Sequence, residues 1–465
     1  MHILMDNFKH RKMYEVQDIS VDEDQISNLP DCILHHILSF LPTKDVVATC
    51  LLSTRWKYLW SSVPILDFDD SLLYSSEVND LYPPEMTCFM NFVERVLLFH
   101  DGSSMKKFRL SCRVCFNASR IHAWVSAAIK QKVQELDLCL FVEEPFILPC
   151  CVFYCESLTA VKIEMNCVLE LPTCVSFPRL KTLYLALVTF LDDDSTQRLL
   201  SSCPVLQELT ILDCDWMNLK RISVSIPTLK SLTIDDLPYF GSADELNGCQ
   251  IKIDAANLIF LTYSGYLLNE IFLFNLSSLV NASIYVPIMC ERQKEIAYRA
   301  VNLLRGLNSV KSMRISTGAI EDNVLDHLPI FQKLTYLELS VEIEKHIVKK
   351  LMNLLQYSPN LESLVFAEGF NPHAKEQKEV IDQLQMLPRV STSLVDSFSW
   401  FSFGNWVQSS IIVAVLFGNT VLCSCDDDAG FLRNDEAQYQ GVDALFGQSF
   451  SSQSSFPLDI IIWWH

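Results

Sequence analysis

The sequence predicts an α/β fold in two unequal parts: a short N-terminal helical bundle, then a long solenoid of parallel strands joined by helices or irregular returns. Apolar residues recur at three- and four-residue steps between 29 and 41, which is one face of a helix. From about residue 105 an apolar triplet spaced i, i+3, i+5 returns every 22–29 residues, with one interval of 52. Half of the 465 residues are hydrophobic and a fifth are charged, enough apolar material for an extended core.

Residues 1–22 read as a disordered extension, and 23–66 as three short helices. In the first, Leu29, Ile33, Leu34, Ile37, Leu38 and Leu41 share one face. Pro30 suits a first turn, where a missing N–H costs nothing, and Asp31 complements the helix dipole. Pro42 ends it. Thr43 is placed to cap a second helix through Asp45, Val46, Val47 and Cys50, and Ser53 to cap a third over 54–60. So small a unit rarely buries enough surface alone. Trp56 and Trp60 offer more apolar area than it can cover, which predicts either docking onto another surface or capping of whatever follows.

The phrases Leu29-Pro30, Leu41-Pro42, Asp45-Val46-Val47 and Ser53-Thr54-Arg55-Trp56-Lys57-Tyr58-Leu59-Trp60 resemble an F-box. The resemblance implies binding to a Skp-type adaptor, and through it to the cullin and RING subunits of a ubiquitin ligase. Its adaptor-facing set here would be Leu29, Pro30, Ile33, Leu34, Leu38, Leu41, Pro42 and Val46. Some of these must serve the bundle's own packing instead.

The triplets start at Val133, Leu158, Leu180, Leu206, Leu229, Leu258, Val310, Leu334 and Leu361. The interval of 52 is twice 26, so a degenerate copy is expected between Leu276 and Ile284. This period is that of an irregular leucine-rich repeat solenoid over 105–370, one short strand and a return per copy. Asn166 and Cys214 fit the repeat's Asn/Cys position. Pro178, Pro204, Pro227 and Pro359 stand where the chain turns into a strand and no ladder donor is lost. Alternation within each strand predicts a solvent-facing row on the concave side, including Tyr184, Glu208, Phe260, Arg314 and Tyr336 as target-contacting candidates. Mixed, polar and aromatic, that row suits a protein better than the basic, stacked groove of a single-stranded nucleic-acid binder.

With Ser176-Phe177-Pro178-Arg179-Leu180, Ser202-Cys203-Pro204-Val205-Leu206 and Ser225-Ile226-Pro227-Thr228-Leu229, the array is similar to the plant F-box proteins with leucine-rich repeats. Residues 386–406, from Pro388-Arg389-Val390 to Trp400, resemble the opening of the FBD module that often ends such chains. The family's Cys after that Pro is Val390 here. Residues 407–465 depart from the module and read as an atypical tail.

Composition excludes several classes. Lys plus Arg is 36 against 56 Asp plus Glu, a net charge of −20, which opposes nucleic acid and anionic membrane alike. The common phosphate-cradling loops and the nucleophile elbow are absent from the sequence. The apolar stretch 411–417 is only seven residues, against the ~20 that span a bilayer. Met1 to Val16 has no apolar core of an export signal, so the seventeen cysteines are expected as thiols in the nucleus and/or cytoplasm. The basic run Lys9-His10-Arg11-Lys12 is too short to choose between these two. Cys112 and Cys115 with Cys150 or Cys151 and Cys155 lack clean zinc spacing and read as core thiols. Asp192 to Asp194 reads as a solvated charge run in a loop. No catalytic residue, metal or cofactor is expected. The anticipated role is substrate recognition in an SCF-type ligase; the rival is a protein-binding repeat scaffold outside any ligase.

Overall fold

The computed structural model describes residues 26, 28–72, 85–102, 105–112, 118–142, 144–237, 248–287, 293–320, 324, 328–340, 353–367 and 413–416. The extension 1–22, the 386–406 segment, Cys115 and most of 407–465 lie outside these residues.

The N-terminal unit begins with α1 (Asp31–Leu38) and α2 (Thr43–Ala48). The expected third helix is not α-helical: turns lead into a 3₁₀ segment, Leu59–Ser62, stopped before Pro64. Pro42 rather than Thr43 occupies the N-cap of α2. Thr43 is instead buried, and its hydroxyl accepts the Asp67 amide at 2.7 Å. That bond ties the bundle to the first strand of the array. Leu34, Leu38, Val46, Trp56, Leu59 and Val63 form the unit's own core. Trp60 packs against both this core and the array's, so the solenoid itself covers part of the excess tryptophan surface.

The array contains β1 (Ile65–Asp69), α3 (Glu85–Phe99), β2 (Lys107–Cys112), α4 (Ala118–Lys130), β3 (Glu135–Leu140), β4 (Phe146–Ile147), β5 (Ala160–Leu169), β6 (Thr182–Phe190), α5 (Asp193–Ser201) and β7 (Glu208–Leu212). It continues with β8 (Arg221–Val224), β9 (Ser231–Asp236), β10 (Gln250–Asp254), β11 (Phe260–Gly265), β12 (Glu270–Phe274), β13 (Asn281–Tyr285), α6 (Gln293–Arg305), β14 (Ser312–Ser316), β15 (Tyr336–Ser340) and β16 (Ser363–Phe366). Last comes β17 (Val413–Leu416). The main sheet runs β1-β2-β3-β5-β6-β7-β9-β11-β13-β14-β15-β16 in parallel, and β17 pairs antiparallel on β16. Thus the sheet starts at Ile65, earlier than the repeat pattern, and a strand closes it from within the atypical tail.

Every sequence triplet falls on this sheet, and the degenerate copy is β13, with Leu279, Ala282 and Ile284 buried. The leading positions Val133, Leu158, Leu180, Leu206, Leu229, Leu258, Val310 and Leu334 are all buried completely. Each such side chain removed from water stabilises the core by roughly 1.5–3 kcal/mol. Successive turns are also stitched by the backbone: Lys181 N to Thr159 O, Gln207 N to Lys181 O and Lys230 N to Gln207 O, all 2.7–2.8 Å. One architectural feature had no signal in the triplets. After β7, β9 and β11 the returns are not helices but strands, and β12-β10-β8 pair as a second parallel sheet.

Asp192 to Asp194 is a helix start rather than a loop, with Asp192 and Asp194 exposed as the charge run predicts. Asp192 caps α5, accepting the Ser195 amide at 2.7 Å, and Asp193 accepts the amides of Lys220 and Arg221 at 2.8 and 3.2 Å. The run joins a helix to the second sheet.

Candidate protein-binding surfaces

The N-terminal unit divides its apolar residues between two faces. Of the eight adaptor candidates, Leu34, Leu38 and Val46 are buried in the unit's own core and have no surface left for a partner. They correct the set from within: helical spacing placed them on the same apolar stripe as Leu41 and Ile33, but the inner edge of that stripe packs on Trp56 and Leu59. Pro30, Ile33 and Leu41 are exposed, and Leu29 and Pro42 half-buried. Arg55 fixes this edge, donating to Leu29 O and pairing with Asp31 at 3.0 Å. Further apolar residues of the unit stay outside its core and are exposed: Ile26, Ile37, Phe40, Leu51, Leu52 and Tyr58. Together with Ile33 and Leu41 they are 40–75% exposed, an unusual concentration for so small a unit. Triplet and helix periodicity did not single out Phe40, Leu52 or Tyr58; their signal was an apolar residue where the polar side of the pattern should be.

The array's solvent face is a pair of straight rows. Glu135, Ala160, Thr182, Glu208, Ser231, Phe260, Asn281, Ser312 and Tyr336 stand side by side across the strands, while Ser363, next in register, is buried. The second row passes through Asp137, Lys162, Tyr184, Thr210, Thr233, Thr262, Ser283, Arg314 and Glu338. All five target candidates lie on these rows, but they do not converge. Tyr184 and Glu208 are neighbours on β6 and β7, Phe260 stands alone on β11, and Arg314 and Tyr336 are neighbours on β14 and β15. Six strand steps separate Tyr184 from Tyr336, roughly 29 Å at about 4.8 Å each.

Their local chemistry differs. The Lys162 ammonium sits 4.9 Å from the Tyr184 ring centroid and 2.9 Å from Glu164. Glu208 is exposed and accepts the Thr182 hydroxyl at 3.2 Å. Arg314 grips both oxygens of Glu338 at 2.7 and 2.9 Å, and the Tyr336 hydroxyl donates to the same carboxylate at 3.3 Å. Burial, then the neighbouring Glu338, pushes the Tyr336 phenol up to about 12. At the array's start Arg109 pairs with Asp67 at 2.8 Å, Asp69 at 3.4 Å and Asp137 at 3.7 Å. Between these charged ends, Thr210, Thr233 and Thr262 make a neutral hydroxyl ladder.

The thiols do not gather. Cys112 and Cys155 are buried and Cys150 is exposed, and among the described residues no cluster of three metal-ligating side chains occurs. Burial pushes Cys167, Cys214 and Cys249 up to about 12 and Cys203 to about 11, so each is a neutral thiol at pH 7. Cys214, at the repeat's Asn/Cys position, lies 3.4 Å from Leu212 O and 3.6 Å from Leu185 O. No helix among the described residues is long and apolar enough to cross a membrane.

Comparison with known proteins agrees with this two-part division. The F-box domain family model matches residues 26–68, and the model described as At1g61320/AtMIF1, LRR domain matches residues 96–393. The chain is 35% identical over 362 residues to the putative F-box/FBD/LRR-repeat protein At3g59240 of Arabidopsis thaliana, covering 74% of this chain and 69% of that protein. To the F-box/LRR-repeat protein At4g14103 of the same plant it is 33% identical over 366 residues, covering 75% of this chain and 93% of the relative. An F-box bundle with an apolar outer face, sealed onto a leucine-rich-repeat sheet, matched along most of its length, places this chain in the plant F-box/LRR-repeat protein family.

Proposed function

We propose that the chain is the substrate-recognition subunit of an SCF-type (Skp–cullin–F-box) ubiquitin ligase. F-box domains in general bind a Skp-type adaptor, and F-box/LRR proteins are generally non-catalytic adaptors. The observation that carries the reading is the outer face of the N-terminal unit. Its core is complete without Ile33, Ile37, Phe40, Leu41, Leu51 and Leu52, yet these remain in water. With Leu29, Pro30 and Pro42 at its edge, this face is the adaptor-binding surface, and the adaptor links it to cullin and RING subunits.

The array then holds a protein target, with Tyr184, Glu208, Phe260, Arg314 and Tyr336 among its contacts. The chemistry of ubiquitin transfer belongs to other subunits, and this chain supplies proximity. No cofactor enters the scheme. Its described cysteines are free thiols, which suits a nuclear and/or cytoplasmic setting.

The second reading, a repeat scaffold outside any ligase, has its own support: Trp60 and Val47 pack on the array core, so the bundle also serves as the solenoid's end cap. A pull-down with purified Skp-type adaptor separates the two. Ile37→Glu with Leu52→Glu alters only the outer face and leaves the cap intact. The ligase reading expects wild-type capture and a loss of about a hundredfold or more in the variant, as for central apolar anchors. Capture of neither by folded protein favours the scaffold; equal capture of both means that the adaptor docks elsewhere than on this face.

A further inference from the structure

The sheet is regular except at one place. Between β5 and β6 the register slips: Glu164 pairs with Ala186 but Cys167 with Val188. The extra residue lies on β5, where Met165 and Asn166 stand against the single Leu187 of β6, which takes a left-handed backbone, φ 61°, and has its side chain in solvent. Beyond the slip, the ladder continues at the strands' C-terminal ends through Ile147, Val168, Thr189 and Asp215. Around this continuation stand Phe141, Ile147, Leu187, Leu191 and Met217, 38–71% exposed. Five large apolar side chains along one rim, above strands whose other outward positions are polar, are more than scattered surface residues.

The rim is bordered by negative charge. On the adjoining solvent face Arg109 and Lys162 are already engaged by Asp67, Asp137 and Glu164. Among the described residues, Asp213, just after β7, and Asp235, near the end of β9, have no ion-pair partner. Asp213, at φ 48°, donates its amide to Asp235 O at 2.9 Å, so backbone geometry draws the two carboxylates together. Burial and then the nearby Asp235 raise the Asp213 carboxyl, which marks a repulsion that an arriving cation relieves. Asp215 closes the group beside Met217, accepting that residue's amide at 2.9 Å.

We propose that the C-terminal rim of β3, β5, β6 and β7 is a docking surface for an extended segment of a partner protein, one that presents an apolar side chain flanked by Lys or Arg. The proposal rests on the target-recruiting reading and names the class of segment the repeats take. Charge complementarity selects the flanking cations, and the apolar rim selects the anchor. Size agrees as well: three strand steps of about 4.8 Å make roughly 14 Å, the length of four or five extended residues.

The test is to pan a phage-displayed library of random dodecapeptides on the immobilised full chain, then measure one selected peptide by fluorescence polarisation. Enriched sequences are expected to place Lys or Arg within two positions of Leu, Ile, Met or Phe. Binding should weaken about tenfold in Leu187→Asn with Met217→Ser, and again in Asp213→Asn with Asp235→Asn, as for loss of anchors and of desolvated charge. Asn tolerates the left-handed backbone at 187, so the fold is expected to survive, with circular dichroism as the check. Selected peptides without basic residues, affinities unchanged in both variants, or no binder at all would overturn the proposal. So would a dimer of the wild-type chain that the rim variants dissolve, since a second copy would then be the occupant. Adaptor capture by the same variants is measured in parallel. If wild-type protein binds the peptides and not the adaptor, the ligase reading fails while the rim stands.

Discussion

Asp236 offers the sharpest physical test of the array. It ends β9, and it is buried between the main sheet and the second sheet. Its carboxylate meets the Tyr263 hydroxyl at 3.5 Å and Asn269 Nδ2 at 3.3 Å, long contacts that compensate poorly for lost water. Gly265, at φ 153°, lies so close that a Cβ there would stand 2.8 Å from the Asp236 Cβ. Asp235 adds repulsion, and Arg299 of α6, which donates to Leu267 O and Leu268 O, also feels the Asp236 charge. Burial is the dominant effect and lifts the carboxyl from 3.8 to about 7. A raised carboxyl pKa means that the folded state holds the proton more tightly than the unfolded chain. This contribution is therefore fully present below about pH 4 and is lost as pH rises through about 7. Three pKa units at 1.36 kcal/mol each give about 4 kcal/mol. Asp236→Asn removes the titration and keeps an acceptor for Asn269. Urea denaturation from pH 4.5 to 8, followed by circular dichroism, is expected to show the variant gaining on wild type as pH rises, by up to that amount at pH 8. Parallel curves, or a variant less stable at pH 8, would refute the reasoning.

Other consequences concern separate parts of the structure. In Gly318→Ala the new Cβ would collide with Val286 O and lie 2.6 Å from Pro287 O, both backbone, so a loss of about 3 kcal/mol or more is expected in the same denaturation assay. Arg109→Leu leaves Asp67, Asp69 and Asp137 side by side. In the intact chain, burial pulls the Asp69 carboxyl upward, but the Ser71 hydrogen bonds and Arg109 outweigh it and hold it low. Stability should fall about 1–2 kcal/mol at pH 7, discounted for partial exposure, with most of the difference between variant and wild type gone below about pH 4, where the carboxylates protonate. Iodoacetamide at pH 7 should label Cys32 and Cys150 in the folded chain and spare Cys167, Cys214 and Cys249 until urea is added, as read by peptide mass spectrometry.

The repeat register was legible because each strand repeats one demand: Leu229, Leu232 and Ile234 must all face the core, and so must Leu334, Leu337 and Leu339. Even the degenerate β13 was found by arithmetic on the interval. The second sheet was not, because Ile222 and Val224, or Ile251 and Ile253, make alternations too short to distinguish from loop residues that dip into the core. In the N-terminal unit, helical periodicity placed Leu34 and Ile33 on one stripe, yet tertiary packing buries the first and exposes the second. Thr43 went elsewhere than the cap expected of it because strand β1 offered the partly buried amide of Asp67. The rim residues were hidden for a related reason: Leu187 reads as part of a continuous apolar run until the register slip turns it outward. The unbroken alternation Val161, Ile163, Met165, Cys167, Leu169 was the available sign that β5 outlasts an ordinary repeat strand.

The ligase reading depends most on whether the N-terminal unit carries the whole chain into a cullin assembly. Full-length protein, purified Skp-type adaptor and the adaptor-binding fragment of a cullin should be mixed and passed through size exclusion with light scattering. The account predicts a single 1:1:1 species for wild type, and free chain beside an adaptor–cullin complex for Ile37→Glu with Leu52→Glu. A folded wild-type chain that elutes apart from the adaptor–cullin complex, or a surface variant that still assembles, would contradict it.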